Sequence, residues 1–498
     1  MSTYYRTLAG ISGQANTFII LANTESVGAT TEVSLTFEGD VNTSFTAIWN
    51  STDSNIITHT GTADTITHDY GTVGLQYIKI QDNMGHMVNG TANNSQILEL
   101  KNYGNDVVLT ANQSSTFEGA TNMVVRANDY PKFIAGTNCE KYFKGCVNME
   151  RFSKGSWPTS TTANITSMAS MFQDANSFTG AGIEDWDTTN VTTLQECFYN
   201  VQSFNANLSL WNVSNVTNLY RTFNNTSSFS GDVSTWDTTK VTNMSQCFLS
   251  SNIAADANIS QWNVSNVTNF SSMFNGCPFN GDLSGWNVSN CTSIQGIFQG
   301  STSFNNDSLA NWNISNVTTL ENIFRQGRAF NGNITQWDTA NVTTLDGAFL
   351  DANDFNQDIS NWNVSNVTDI NQCFWGATDF NQDISSWNTS NIGDFSQCFQ
   401  NATAFNQDIG SWNLSSATDM SDMLDDCGMS TENYSKTLIG WANFVSGNGG
   451  APSGLTLGAN NLTYNNATHG SGTYTDAVAA RGYLTGTASW TITDGGVV

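Results

Sequence analysis

Ten tryptophans recur down the middle of this chain: Trp186, Trp211, Trp236, Trp262, Trp286, Trp312, Trp337, Trp362, Trp387 and Trp412, at steps of 24, 25 or 26 residues. A phenylalanine follows each of the first nine at 12 residues, from Phe198 to Phe399, and Leu424 takes that place in the tenth. A fixed period of this size leaves no unit able to bury its own apolar face, so successive units must lean on one another as a solenoid with the tryptophans in its core. Such a stack offers a long side face and seldom a catalytic pocket.

One cycle, residues 361–387, reads NWNVSNVTDINQCFWGATDFNQDISSW. Val367, Ile370, Cys373 and Phe374 stand at i, i+3, i+6 and i+7, a spacing that predicts one face of a short helix. Residues 383–387 read as a short strand with Ile384 inward. A helix and a strand per ~25 residues predict an α/β coil with strands stacked in parallel. The length from Trp to Phe never changes, whereas Phe to Trp varies from 12 to 14 residues, so insertions are confined to the loop that leads to the strand.

The cycle N-V-T-x-M-x-x-M-F-x-x-A-x-x-F-N-x-D-I-S-x-W, nearly intact at residues 366–387 and 391–412, resembles the BspA-like surface-protein repeat of the mycoplasma-lipoprotein type. The resemblance implies a right-handed, leucine-rich-repeat-like solenoid over residues 164–427 and a surface protein implicated in adhesion. FEGATN at 117–122 and FKGCVN at 143–148 resemble two degenerate coils within a cap of residues 101–163. Alternating β-branched residues between 32 and 80 predict a β-sandwich over residues 16–100. Trp49, the run from Thr67 through His68 and Asp69 to Tyr70, Gly74 and Tyr77 resemble an immunoglobulin-like PKD domain, although its usual Gly-Asp-Gly is absent. Residues 1–15 read as an arm. Residues 428–498 read as a C-terminal cap with helices near 434–444 and 477–481.

Fifteen Lys+Arg against 42 Asp+Glu, a net charge of −27, argue against nucleic acid or an anionic membrane as partner. No segment approaches the ~20 apolar residues of a membrane span, and no signal-peptide pattern or lipidation motif is expected. Six basic residues gather at Arg126, Lys132, Lys141, Lys144, Arg151 and Lys154 and suggest a docking patch for an acidic partner. The nine cysteines include Cys197, Cys247, Cys373 and Cys398, each one residue before the repeat phenylalanine in a slot that Met171 and Met273 fill elsewhere. Thiols that exchange with methionine read as small core hydrophobes rather than disulfides or metal ligands.

No nucleophile, zinc, Walker or dinucleotide motif is present, so no enzyme is expected. The carboxylates repeat instead: Asp232, Asp282, Asp358, Asp383 and Asp408 share one position. On stacked strands ~4.8 Å apart, Asp358, Asp383 and Asp408 form a column of like charges. Three readings stand: a turn ladder hydrogen-bonded with Asn356, Asn381 and Asn406; a calcium-binding edge of oxygen ligands; or an exposed ligand face shared with Ser360 and Ser385. No other cofactor is expected. The frequent Asn-x-Thr triplets follow from the repeat and are read as structural. These features suggest a non-enzymatic virion-surface or tail-fibre protein, attached to virion proteins through its N-terminal region and binding a host-surface glycan or protein through the solenoid. A cellular surface adhesin and a capsid cement protein are the alternatives, and homo-oligomerisation is open.

Overall fold

The computed structural model describes residues 111–498 except 128, 153, 154 and 470, and before them residue 103 and the strands named below. The chain falls into two compact units, Met1–Lys240 and Val241–Val498.

The first unit opens with strands β1 (Phe18–Asn23), β2 (Glu32–Glu38), β3 (Ser44–Trp49), β4 (Ile56–Thr60), β5 (Ala63–Asp69), β6 (Leu75–Gln81), β7 (His86–Val88) and β8 (Ile97–Asn102). After these come β9 (Val108–Leu109) and β10 (Val124–Val125). One sheet has the order β10-β8-β1-β6-β3-β4 and a second the order β5-β2-β7. All pairings among β1 to β8 are antiparallel, but β10 joins β8 in parallel, Val125 opposite Leu100. A domain boundary at residue 100 therefore falls inside a strand, and β10, from the stretch read as degenerate repeats, extends the same sheet. The arm of residues 1–15, Tyr70 and Gly74 lie outside the described residues. So do the side chains of Trp49 and His68.

From β9 onward the pairing is parallel: β9 with β11 (Lys132–Phe133), and β12 (Thr137–Asn138) with β13 (Ile165–Ser167). Single bridges at one-cycle spacing then continue it, Ser167 with Thr193 and Thr193 with Asn218. The second unit carries its own ladder, including Thr344–Asp369, Asp369–Asp394 and Asp394–Asp419. Each coil thus lies in parallel register on the next within its unit.

The local conformation of a coil differs from the helix and strand that its spacing predicts. Residues 371–376 form a run of turns. The N–H groups of Ile370, Gln372, Phe374 and Gly376 donate to the carbonyls of Asp394, Ser396, Cys398 and Gln400 on the following coil, at 2.8–3.0 Å. A helix would direct these donors along its own axis. Two left-handed residues make the difference, Gln372 at φ 53° and Gly376 at φ 68°. The pair recurs four residues apart in every coil, for example Glu196 and Asn200, Gln397 and Asn401, Asp422 and Asp426. It also occurs at Ser115 with Gly119 and at Lys141 with Gly145, so the two degenerate segments adopt the same coil. No β-branched residue occupies these positions, as the left-handed region requires. Helix and double turn bury the same side chains: Ile370, Cys373 and Phe374 are all fully buried. Apolar spacing therefore could not separate them. Residues 383–387 are likewise no strand; Trp387 closes a turn onto the Ile384 carbonyl at 3.1 Å, and the parallel bridges run through Asp369 instead.

The core is built of columns. All ten repeat tryptophans are at most 4% exposed. In the first unit Trp186 lies parallel to Trp211 at 6.5 Å and Phe172 to Phe198 at 5.7 Å. In the second, Trp387 lies over Trp412 at 6.4 Å and Phe374 over Phe399 at 5.5 Å. The indole N–H also connects coils: Trp387 Nε1 donates to the Ile359 carbonyl at 3.1 Å and Trp412 Nε1 to that of Ile384 at 3.1 Å. A phenylalanine in these slots fills space but cannot make that bond, which accounts for the residue type. All nine cysteines are buried free thiols, and burial pushes Cys373 and Cys398 well above the ordinary thiol range.

A single-turn helix, α1 (Thr159–Thr162), belongs to the first unit, and helix α2 (Thr431–Gly447) closes the second unit by imitating a further coil. Trp441 Nε1 reaches the Ile409 carbonyl at 3.1 Å, and Asn433 Nδ2 reaches the Asn406 carbonyl at 2.7 Å. The helix approaches so closely that a Cβ on Gly440 would collide with the Gly410 carbonyl oxygen. Beyond it, strand β14 (Thr456–Ala459) pairs with β15 (Thr491–Asp494), and Leu457 bridges Met420 to end the ladder. Arg481, in helix α3 (Ala477–Gly486), holds the buried Asp494 carboxylate at 2.8 Å.

Candidate functional site

Among the described residues the coil interiors hold buried apolar side chains, and three polar columns stand out on the rims of the coils. The first is the aspartate position singled out from the sequence. Asp358, Asp383 and Asp408 are exposed, and each caps its own turn: their carboxylates accept the N–H groups of Ser360 (3.0 Å), Ser385 (3.0 Å) and Gly410 (2.9 Å). Hydrogen bonds from the Ser360 hydroxyl and N–H hold Asp358 below the ordinary carboxylate range. The N–H and hydroxyl of Ser385 do the same for Asp383. Ser360 and Ser385 are half-buried, and their carbonyls accept the hydroxyls of Ser386 (3.1 Å) and Ser411 (2.8 Å). Asp232 and Asp282 cap Ser234 and Ser284 in the same way.

The hydrogen-bonded ladder expected at this position is made by the asparagines. Asn356 Oδ1 accepts the Asn381 N–H (3.0 Å), Asn381 Oδ1 that of Asn406 (2.9 Å), and Asn406 Oδ1 that of Ser430, the N-cap of α2. The aspartates stand outside it. Among the described residues no group of three or more His, Cys, Asp or Glu is arranged to hold a metal ion, and this column gives calcium no such group.

The second column is the Asn-x-Thr flank. Asn341, Asn366 and Asn391 are exposed, yet their amides donate to the carbonyls of Ser315, Ala340 and Ser365 on the preceding coil at 2.7–2.8 Å. Thr343 and Thr368, also exposed, donate to Thr318 (3.0 Å) and Thr343 (3.3 Å). With these donors used along the stack, amide and hydroxyl oxygens and threonine methyls remain on the exposed flank in the coils of Asn341 and Asn366, whereas Gly393 takes the threonine place beside Asn391, and Lys240 and Ser416 take the asparagine place in two other coils.

The third column was missed. Asp369, Asp394 and Asp419 are successive bridge partners on the ladder, half-buried, with Asp346 diagonal to Asp369. Burial first, and then the charges of Asp369 and Glu321, push Asp346 up to about 6 against the pull of Arg325. Burial also raises Asp369. The 25-residue step between Asp369, Asp394 and Asp419 is the tryptophan period, so the signal was present in the sequence.

The basic cluster is not a free positive patch. Lys144 lies 3.6 Å from Glu118, Lys141 3.2 Å from Glu140 and Arg126 3.8 Å from Glu99, while Lys154 lies outside the described residues. Nearby acids neutralise half of it, which weakens its attraction for an acidic partner.

A family model described as "Mycoplasma protein of unknown function, DUF285" matches residues 137–256, 232–336 and 319–437. Together these cover more than half of the chain. The chain belongs to the DUF285 family. Tandem DUF285 matches make it a repeat-containing protein, and they begin at residue 137, downstream of the strands likened to a PKD domain. Comparison with curated proteins and with solved structures finds no match. Among the described residues no helix is long and apolar enough to cross a membrane.

Proposed function

We propose that this DUF285 protein is a non-enzymatic binding scaffold displayed at a biological surface, its coils stacked as a right-handed solenoid. The observation that carries the reading is the Asn-x-Thr flank, where Asn341, Thr343, Asn366 and Thr368 are exposed but anchored by hydrogen bonds to the preceding coil. Anchored side chains lose little further freedom on binding, which favours affinity. Sets repeated on neighbouring coils engage a repetitive target several times over. The flank is rich in acceptors and methyls and poor in charge, a chemistry suited to a neutral, polyhydroxylated glycan. Asp358, Asp383 and Asp408, with Ser360 and Ser385, lie at another exposed position of the same coils and form the flanking rim. The finer reading is a virion-surface or tail-fibre component that attaches to its particle through the N-terminal region and contacts a host glycan or protein. A lysine-poor surface supports an external position; a cellular adhesin and a capsid cement protein share that support.

Glycan-array binding of the purified protein tests the contact. The double substitution Thr343→Val and Thr368→Val should abolish binding while leaving the melting temperature within a few degrees of wild type. If binding survives it but is lost in Asp358→Asn/Asp383→Asn/Asp408→Asn, the acidic turn column is the contact and the flank assignment is wrong. Immunogold labelling of purified particles against intact cells assigns the carrier.

A further inference from the structure

We propose that the carboxylates of Asp346 and Asp369, set against those of Asp394 and Asp419 on successive coils of the second unit, form an acid-tightened seam: with Asp346 and Asp369 ionised these coils are pushed apart, and with the two protonated they close. The argument is geometric. Asp369 bridges Asp394, and Asp394 bridges Asp419, so three like charges are direct partners across parallel rungs, an arrangement that destabilises a ladder. They cannot turn away freely, because each has one oxygen tied to the N–H two residues on: Asn371 at 2.8 Å, Ser396 at 2.9 Å and Ser421 at 2.8 Å. Serine hydroxyls add to this at Asp394 and Asp419. The backbone bonds that hold the coils together run through the same residues: Leu345 N to the Asp369 carbonyl (2.9 Å), Ile370 N to Asp394 (3.0 Å) and Phe395 N to Asp419 (2.9 Å).

The groups that bear on the seam are few. Glu321 adds a further negative charge, and Arg325 is the cation that opposes it at Asp346. On the inner side stand Cys373 and Cys398, whose thiols burial raises well above their ordinary range, so they stay neutral. One cation against five carboxylates leaves repulsion dominant at neutral pH.

The sign follows from linkage. A carboxyl raised in the folded state binds more protons folded than unfolded, so stability falls as pH rises through that interval. For Asp346 the interval runs from the ordinary aspartate value to about 6. The exposed turn caps behave oppositely: Asp358 and Asp383 are lowered, so their contribution is lost only as pH falls below the ordinary aspartate range. Asp346, with Asp369 raised in the same direction, thus carries the acid response of the seam, from the ordinary aspartate value up to about pH 6 for Asp346.

Hydrogen exchange, expressed as protection factors at the amides of Leu345, Ile370 and Phe395, tests the seam between about pH 7.5 and about pH 5. Wild type should gain protection there several-fold on acidification, with no comparable gain at Phe274, which donates to the Ile297 carbonyl in the same unit away from the seam. Asp369→Asn/Asp394→Asn should be protected at neutral pH and lose the dependence; Asp358→Asn/Asp383→Asn should retain it. If the double variant does not fold, Asp346→Asn is read in the same way. A wild-type profile flat across this range, or an equal dependence in the seam variants, overturns the proposal.

Discussion

Replacing Trp387 tests what the tryptophan column does. Its ring is 4% exposed, parallel to Trp412 at 6.4 Å and 6.2 Å from Phe374. Its N–H donates to an Ile359 carbonyl that also accepts the Trp362 N–H at 3.0 Å. Truncation to alanine opens a large cavity between two coils and should cost ~3–5 kcal/mol. Phenylalanine keeps an aromatic ring in the column and leaves the Ile359 carbonyl one remaining bond, so the loss is a net hydrogen bond of ~0.5–1.5 kcal/mol plus a smaller void, about 2 kcal/mol together. At ~2–4 °C per kcal/mol for a unit of this size, Trp387→Ala should lower the melting temperature by about 6–20 °C and Trp387→Phe by about 4–8 °C. Differential scanning calorimetry reads both. Equal losses in the two variants would mean that the hydrogen bond, not packing, holds the coils. No loss in either would remove the tryptophan column from the core argument.

Two further expectations follow from the coil. Gln397 sits at φ 56°, so Gln397→Val should destabilise by ~1–2 kcal/mol whereas Gln397→Gly should be close to neutral; equal chemical-denaturation midpoints for the two would refute the left-handed turn. Thiol titration of the native protein should find little reactivity, and titration in denaturant without reductant should recover all nine cysteines, a shortfall of two pointing to a disulfide.

The repeat itself was legible because a period is a property of the chain order alone. Trp and Phe at constant separation, and the N-V-T cycle, were enough to place the chain among repeat proteins, and the DUF285 matches agree with that level of reading. The conformation inside a coil was not legible. Ile370, Cys373 and Phe374 are buried by a double left-handed turn as fully as by a helix, and only the identity of the hydrogen-bond acceptor, one coil away, separates the two. A weak signal existed: Gln372 and Gly376, like their counterparts elsewhere, are never β-branched.

The acidic residues divide in the same way. That Asp383 recurs at a fixed step is written in the sequence, but so is the recurrence of Asp369 and Asp394, and nothing in the spacing says which column meets across coils. The tertiary structure decides it. Asp383 turns back to the N–H of Ser385 within its own coil, while Asp369 lies on the bridge to Asp394. Chain order alone fixes which residues are equivalent from coil to coil. Only the stacked coils decided which of those equivalents touch, because hydrogen bonding and charge depend on distance in space, and a 25-residue step along the chain becomes a neighbour contact only at the rung.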